Sequence, residues 1–303
     1  MLKVAVVGSL NMDLVVNVEK LPKEGETLLG SGLSEVPGGK GANQAAAIGK
    51  LGIPVSMIGK VGTDASGSVL IEALRSAGVD VSSVMVSQSP TGMALITVDQ
   101  AASNHIVVIP GANGDLTPSD IERQRAVIEQ SDIVVLQLEI PVETVAYTLK
   151  MAKSLGKKTV LNPAPARELD SAILSYVDCL IPNEHELRAI AGVGRLDEAA
   201  IREAGRLFMD RGVRHLIVTL GDKGCCHTDG DFVRFHEAFR VEAADTTAAG
   251  DSFVGGFAAG YSEWRDVDRA IRFAMQTAAI AVTRHGAQSS LPTRDEVLAF
   301  GKS

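Results

Sequence analysis

Between residues 245 and 253 the chain reads Asp245-Thr246-Thr247-Ala248-Ala249-Gly250-Asp251-Ser252-Phe253, small residues leading to a carboxylate at what reads as a helix start. Small residues let a backbone turn approach an anion closely, and the unpaired N–H groups of a helix N-terminus attract phosphate oxygens. Asp251 stands beside them, where a carboxylate can accept the proton of an attacking hydroxyl. The pattern suits phosphoryl transfer. A second cluster, Gly38-Gly39-Lys40-Gly41-Ala42-Asn43-Gln44, follows Pro37 and enters another helix. By itself it reads either as a tight glycine turn with a solvated Lys40 or as a close backbone approach to a small polar ligand. It is not a Walker A loop, because the required spacing of Gly and Gly-Lys-Ser/Thr fails at Ser34 and Gly41. No complete Gly-x-Gly-x-x-Gly fingerprint follows a strand, which counts against a nicotinamide-dependent dehydrogenase.

The elements that must position these residues follow from the hydrophobic pattern. Short aliphatic runs alternate with longer helical patterns, which predicts a layered α/β/α domain on a mostly parallel central sheet. Predicted strands are Val4 to Val7, Val55 to Ile58, Ile133 to Leu138, Thr159 to Leu161, Cys179 to Ile181 and Leu216 to Thr219. Predicted crossover helices are Ala42 to Leu51, Ala65 to Ala77, Ser119 to Glu129, Val142 to Leu155, Asn183 to Ile190 and Glu198 to Arg211. Ala248 to Tyr261 and Val267 to Thr283 are small and apolar enough to be helices inside the molecule. Two segments, approximately 13–35 and 93–109, instead alternate apolar and polar residues with Gly and Pro punctuation. They read as a small β-sheet beside a single domain spanning 1–303, serving as a lid over substrate, a dimer contact, or both.

Composition narrows the partners. The 303 residues are 46% hydrophobic and only 4% aromatic, enough for a large aliphatic core. A net charge of −8 argues against sequence-independent attraction to nucleic acid or to an anionic membrane. Cys179, Cys225 and Cys226 lack paired spacing, so a reduced setting is expected. The opening Met1-Leu2-Lys3-Val4-Ala5-Val6-Val7-Gly8 is too short for a secretory leader, and no apolar run reaches membrane-spanning length, so the expected location is cytoplasmic.

Further segments join the two clusters: Gly8-Ser9-Leu10-Asn11-Met12-Asp13, Gln137-Leu138-Glu139, Asn162-Pro163-Ala164-Pro165-Ala166, Pro182-Asn183-Glu184-His185-Glu186, Thr219-Leu220-Gly221-Asp222-Lys223-Gly224 and Ala281-Val282-Thr283-Arg284-His285-Gly286-Ala287-Gln288. Together they resemble the ribokinase family of sugar kinases over nearly the whole chain. The resemblance implies that ATP gives its γ-phosphoryl group to a primary hydroxyl of a bound pentose, D-ribose at its 5-hydroxyl first among them. Asn11, Asp13, Gly39, Lys40, Asn43 and Glu139 resemble the sugar contacts, with Asp251 as general base. The amides of Ala248, Ala249, Gly250 and Asp251 would hold charge on the transferring phosphate. Asn183, Thr219, Gly221, Gly224 and Gly250 resemble the nucleotide contacts, and Glu186 resembles a residue acting on Mg2+ through water. A potassium ion resembles one held by Asp245, Thr247, Ala281, Arg284, Gly286 and Ser290, largely through backbone oxygens. A homodimer through the small sheet follows from the same resemblance.

Each residue also has a plainer reading. Asn11 and Asp13 read equally as turn residues after the first strand, Asp245 as a helix cap, and Glu139 as a surface carboxylate at a strand end. His185 and His285 are given no role. Where the family often offers Asn or His near adenine, this chain has Met275-Gln276, which leaves the base contact open. Deoxyribose, another sugar or a nucleoside could enter the same cleft. A noncatalytic sugar- or nucleotide-binding regulator would not require the Gly250-Asp251 pair.

Overall fold

In the first strand, Val4 and Val6 face one apolar core and Val7 faces another, and in its neighbour Ile133 and Val135 alternate with Val134 and Leu136 in the same way. Such strands are buried on both sides, which is why they are short, branched and almost free of polar residues. The computed structural model describes residues 3–101, 104–194 and 197–301. Its first part contains β1 (Val4–Val7), β2 (Asn11–Asn17), β3 (Gly32–Gly38), α1 (Lys40–Lys50), β4 (Val55–Val61), α2 (Ala65–Ser76), β5 (Val79–Asp80), β6 (Val84–Val86), β7 (Gly92–Val98) and β8 (Asn104–Ile109). Next come α3 (Pro118–Arg123), α4 (Arg125–Glu129), β9 (Ile133–Leu136), α5 (Val142–Ser154), β10 (Lys158–Leu161), α6 (Ser171–Leu174), β11 (Cys179–Leu180), α7 (Glu184–Ala191) and α8 (Glu198–Asp210). The chain finishes with β12 (His215–Thr219), β13 (Cys225–Thr228), β14 (Val233–His236), α9 (Ala249–Trp264), α10 (Val267–Ala281) and α11 (Arg294–Phe300).

The main sheet runs β14-β13-β12-β11-β10-β9-β1-β4-β5, with β6 also pairing to β4. Pairing is parallel from β12 to β5, and only the β12-β13-β14 meander is antiparallel. One core lies between the sheet and α1, α2, α9 and α10, and the other lies beneath α3, α5, α7 and α8. A four-stranded sheet, β3-β2-β7-β8, stands apart. Its β8 is exposed along its whole length.

The strands and long helices expected from the hydrophobic pattern are present, with informative differences. Strand β9 stops at Leu136, because Leu138 turns its N–H to Ala164 O at 2.8 Å instead of extending the ladder. The single helix expected over 119–129 is two, divided at Gln124, whose φ of −98° and ψ of 11° leave the helical region. Cys225 and Cys226 lie in β13, one arm of a hairpin that the pattern did not reveal. Helix α11 was also missed, although Thr293 and Glu296 form a capping box at its start. The small sheet starts earlier than residue 13 and ends β3 later than residue 35, while residues 102 and 103 of the second segment lie outside the described ones.

Candidate active site

The chemistry-bearing residues gather at the carboxyl ends of β1, β9, β10, β11 and β12, beside the point at β1 where the crossovers leave in opposite directions. Gly8 and Ser9 follow β1, Gln137 and Glu139 follow β9, Asn162 follows β10, Asn183 follows β11, and Gly221 follows β12. Asn183 and Thr219 are joined by a parallel bridge, which sets α7 beside the turn between β12 and β13. Gly221 and Gly224 both lie in that turn with positive φ.

Asn11 and Asp13 are not turn residues. They sit on β2 with their side chains on one face and are nearly buried, 2% and 9% exposed. Asn113 fixes the entry to that strand: its Oδ1 accepts from Leu10 N at 2.9 Å, and its Nδ2 donates to Leu10 O at 3.0 Å and Asn11 Oδ1 at 2.7 Å. Asp13 packs against Gly38, where a Cβ would lie 2.1 Å from Oδ2. Gly39 has φ +88°, and a Cβ there would lie 2.6 Å from Asn11 N, so the turn into α1 admits only glycine without strain. Glu139 is half-buried, not a surface carboxylate: its Oε2 accepts from Ser9 Oγ at 2.5 Å and from Lys40 N at 3.1 Å.

Asp251, 7% exposed, lies in the first turn of α9. Its Oδ2 accepts from Asn43 Nδ2 at 2.9 Å and its Oδ1 from Gln44 Nε2 at 3.0 Å, which ties α9 to α1. Ala248 is the helix N-cap, without a side-chain capping bond, so the amides of the first turn have no acceptor within the helix. A Cβ at Gly250 would meet nothing within 4 Å, and Gly250 lines the same cavity as Asp251. Asp245 does not cap the helix. Its Oδ1 accepts from Thr247 N at 2.9 Å and Thr247 Oγ1 at 2.5 Å, and its Oδ2 accepts from Gly286 N at 2.9 Å.

The resulting electrostatics are those of crowded carboxylates around one ammonium. Burial, then Glu139 and Asp251, push the Asp13 carboxyl up to about 7, against the pull of Lys40. Burial alone would depress the Lys40 ammonium, but Asp251, Glu139, Glu186 and Asp13 together hold it above its ordinary value. Burial also raises the Glu186 carboxyl, although Asn183 N and Lys40 oppose the shift. Asn183 and Glu186 form a capping box on α7, with Asn183 N donating to Glu186 Oε2 at 2.9 Å and Glu186 N to Asn183 Oδ1 at 2.8 Å. A cavity of about 190 Å³ joins Lys40, Asn162, Asn183, Glu186, Thr219, Gly250 and Asp251.

Residues 1–294 match the pfkB family of carbohydrate kinases. The chain belongs to that family. Among its relatives is a ribokinase of Haemophilus influenzae, 43% identical over 296 residues that cover 97% of each chain. A deoxyribokinase of Salmonella typhimurium is 41% identical over 295 residues, covering 97% of this chain and 96% of that one. The solved structure of an Arabidopsis thaliana ribokinase complexed with ribose and ATP superposes with a TM-score of 0.92 at 32% identity, over all of both chains. Family membership agrees with the layered fold and the separate small sheet.

Several residues of the site carried no expected role. Asn113, Asn162 and Gln44 reach it through side-chain amides, and the motif segments contained two of them, Gln44 and Asn162, with nothing to mark their partners. Of the residues expected around a potassium ion, the structure brings two segments together, since Ala244 N and Asp245 N both donate to Val282 O. The Arg284 guanidinium turns away to Glu296, and Ser290 Oγ donates to Ala287 O at 2.8 Å.

Proposed function

We propose that the chain transfers the γ-phosphoryl group of ATP to the 5-hydroxyl of D-ribose, giving D-ribose 5-phosphate and ADP. The carrying observation is Asp251, held by two side-chain amides in the first turn of α9, which has no side-chain cap, and lining a polar cavity. Asn11, Asp13, Gly39, Lys40, Asn43 and Glu139 hold the sugar hydroxyls, Asn43 with a buried Oδ1 that has no partner within the protein. Asp251 takes the proton as the hydroxyl attacks. The N–H groups of Gly250 and Asp251, at the positive end of the helix, hold the charge of the phosphoryl group in flight, while Ala249 N closes the preceding turn on Thr246 O at 3.1 Å. Asn183, Thr219, Gly221 and Gly224 hold the nucleotide. Against the effect of burial, the surrounding carboxylates keep Lys40 charged and so able to steady an anion nearby.

Two cations suit the residues present. Magnesium, when bound, neutralises charge on the phosphates. No group of three or more His, Cys, Asp or Glu among the described residues is arranged to ligate a metal directly, so Glu186 would act on a hydrated ion. Potassium suits the junction of residues 245–247 with 281–290. There Asp245 is held ionised despite burial by Thr247 and Gly286, and the oxygens on offer from Ala281, Arg284, Gly286 and Ser290 are mainly backbone carbonyls. We assign the protein to the cytoplasm, since all three cysteines are free and buried and no helix of the described residues is long and apolar enough to cross a membrane.

A second reading, a kinase for 2-deoxyribose, has one specific support, the identity shared with a deoxyribokinase over 97% of this chain. The base assignment is tested by Asp251→Asn with ribose and MgATP. The expected result is a fall in kcat of about 10²- to 10⁴-fold with both substrates still bound. Turnover near that of the parent would remove Asp251 from the role.

A further inference from the structure

Asp251 is gripped by a chain of amides that the phosphoryl transfer does not itself consume. Gln44 Nε2 donates to Asp251 Oδ1 at 3.0 Å and to Asn162 Oδ1 at 3.2 Å, while Gln44 Oε1 accepts from Gln137 Nε2 at 2.6 Å. Gln44 and Gln137 are fully buried. The network itself fixes which way each amide points. Asn162 Nδ2 donates to Ile181 O at 2.9 Å, so Asn162 presents its oxygen to Gln44. Gln44 must then turn its NH2 toward two acceptors and its carbonyl toward Gln137, and a reversed Gln137 would set two amide oxygens against each other. Gln137 is not kept for a satisfied core. Its own Oε1 has no partner and lies 2.0 Å from where a Cβ on Gly8 would be. A buried acceptor left unmade lowers stability, so what this side chain contributes is its donor end.

We propose that Gln44 is a positioning residue for the base, held in one amide orientation by Asn162 at its NH2 and Gln137 at its carbonyl. The inference rests on the reading of Asp251 as general base. With Oδ1 held by Gln44 and Oδ2 by Asn43, the plane of the carboxylate is fixed and the remaining lone pairs are left to the acceptor hydroxyl. Without the donor of Gln137, the orientation of Gln44 loses one of its three supports, and a reversed Gln44 sets its carbonyl against Asp251 Oδ1. That repulsion favours a protonated Asp251, which cannot act as base.

Gln137→Met keeps the volume of the side chain, removes the donor, and alters no residue assigned to substrate. The test compares Gln137→Met and Gln44→Met with the parent, and repeats Gln137→Met in an Asp251→Asn background, measuring kcat, KM and the dependence of kcat on pH. We expect kcat to fall about tenfold or more, the worth of one hydrogen bond to a charged group, with KM for ATP unchanged. The acid limb of the kcat profile moves to higher pH. In the Asp251→Asn background the effect of Gln137→Met shrinks to less than about twofold, since no carboxylate remains to be positioned. Unchanged kcat and pH profile in both single variants, or an equal loss in both backgrounds, would overturn the proposal. Near-normal turnover of Asp251→Asn alone would instead remove the base reading, a separate outcome. Should Gln137→Met fail to fold, Gln137→Glu decides: its protonated carboxyl can still donate to Gln44, so its activity relative to the parent rises as pH falls. A ratio flat across pH would overturn the proposal.

Discussion

Asp13 is the residue at which function most plainly opposes stability. Its carboxyl, pushed up to about 7 by burial and then by Glu139 and Asp251, holds a proton in the folded chain that the unfolded chain has released above its ordinary 3.8. Between these values the folded state binds more protons, so the contribution of Asp13 to stability falls as pH rises through the window. Asp13→Asn is therefore expected to melt above the parent at about pH 8, with the gap closing at about pH 4, while ribose binding is lost. A variant that melts lower than the parent at the higher pH would contradict this account of the site. Asn11, Asp13, Lys40, Glu139 and Asp251 were each legible as residue types within motif segments. Their mutual crowding was not, because it arises where segments far apart in the chain converge. Gln44 and Gln137, 93 positions apart, show the same limit, since no local pattern announces which buried amide a glutamine will meet.

At the scale of elements, α9 carries the base and must lie close to both α1 and α10. The helix is rich in glycine for that reason. A Cβ on Gly255 would lie 2.5 Å from Ala47 Cβ in α1, and one on Gly256 would lie 3.0 Å from Ala274 Cα in α10. Glycine in a helix interior costs about 1 kcal/mol relative to alanine, a loss offset here by close packing of three buried helices. Gly255→Ala should therefore destabilise the protein by about 1–3 kcal/mol despite its better helix propensity, and should lower kcat by parting Asp251 from Asn43 and Gln44. Denaturant melts and steady-state rates check both effects, and a stabilised variant of full activity would contradict the packing argument. The helix itself was legible as small and apolar, and β1, β4, β10 and β12 as branched runs. Hairpin β13-β14 was not, because His227 and Thr228 are polar yet buried, and β14 is mostly open to solvent, so neither arm shows a clean alternation.

The whole molecule leaves the small sheet as its open question of assembly. Leu33, Leu95, Val107 and Ile109 share one face of it by register and are 64%, 42%, 61% and 48% exposed. We propose that a second copy covers the outer part of this face, since Met12 and Leu14 on the same face already pack against the core of the main domain and leave the rest open. Light scattering at micromolar concentration should give a dimer for the parent chain and a monomer for a Leu95→Glu, Val107→Glu double variant; a monomeric parent would remove the proposal. The central claim concerns the acceptor, and it is tested most directly by ADP release from MgATP and potassium across D-ribose, 2-deoxyribose, arabinose, fructose and nucleosides. The account predicts that D-ribose gives the highest kcat/KM. A clear preference for 2-deoxyribose or any other acceptor would contradict it.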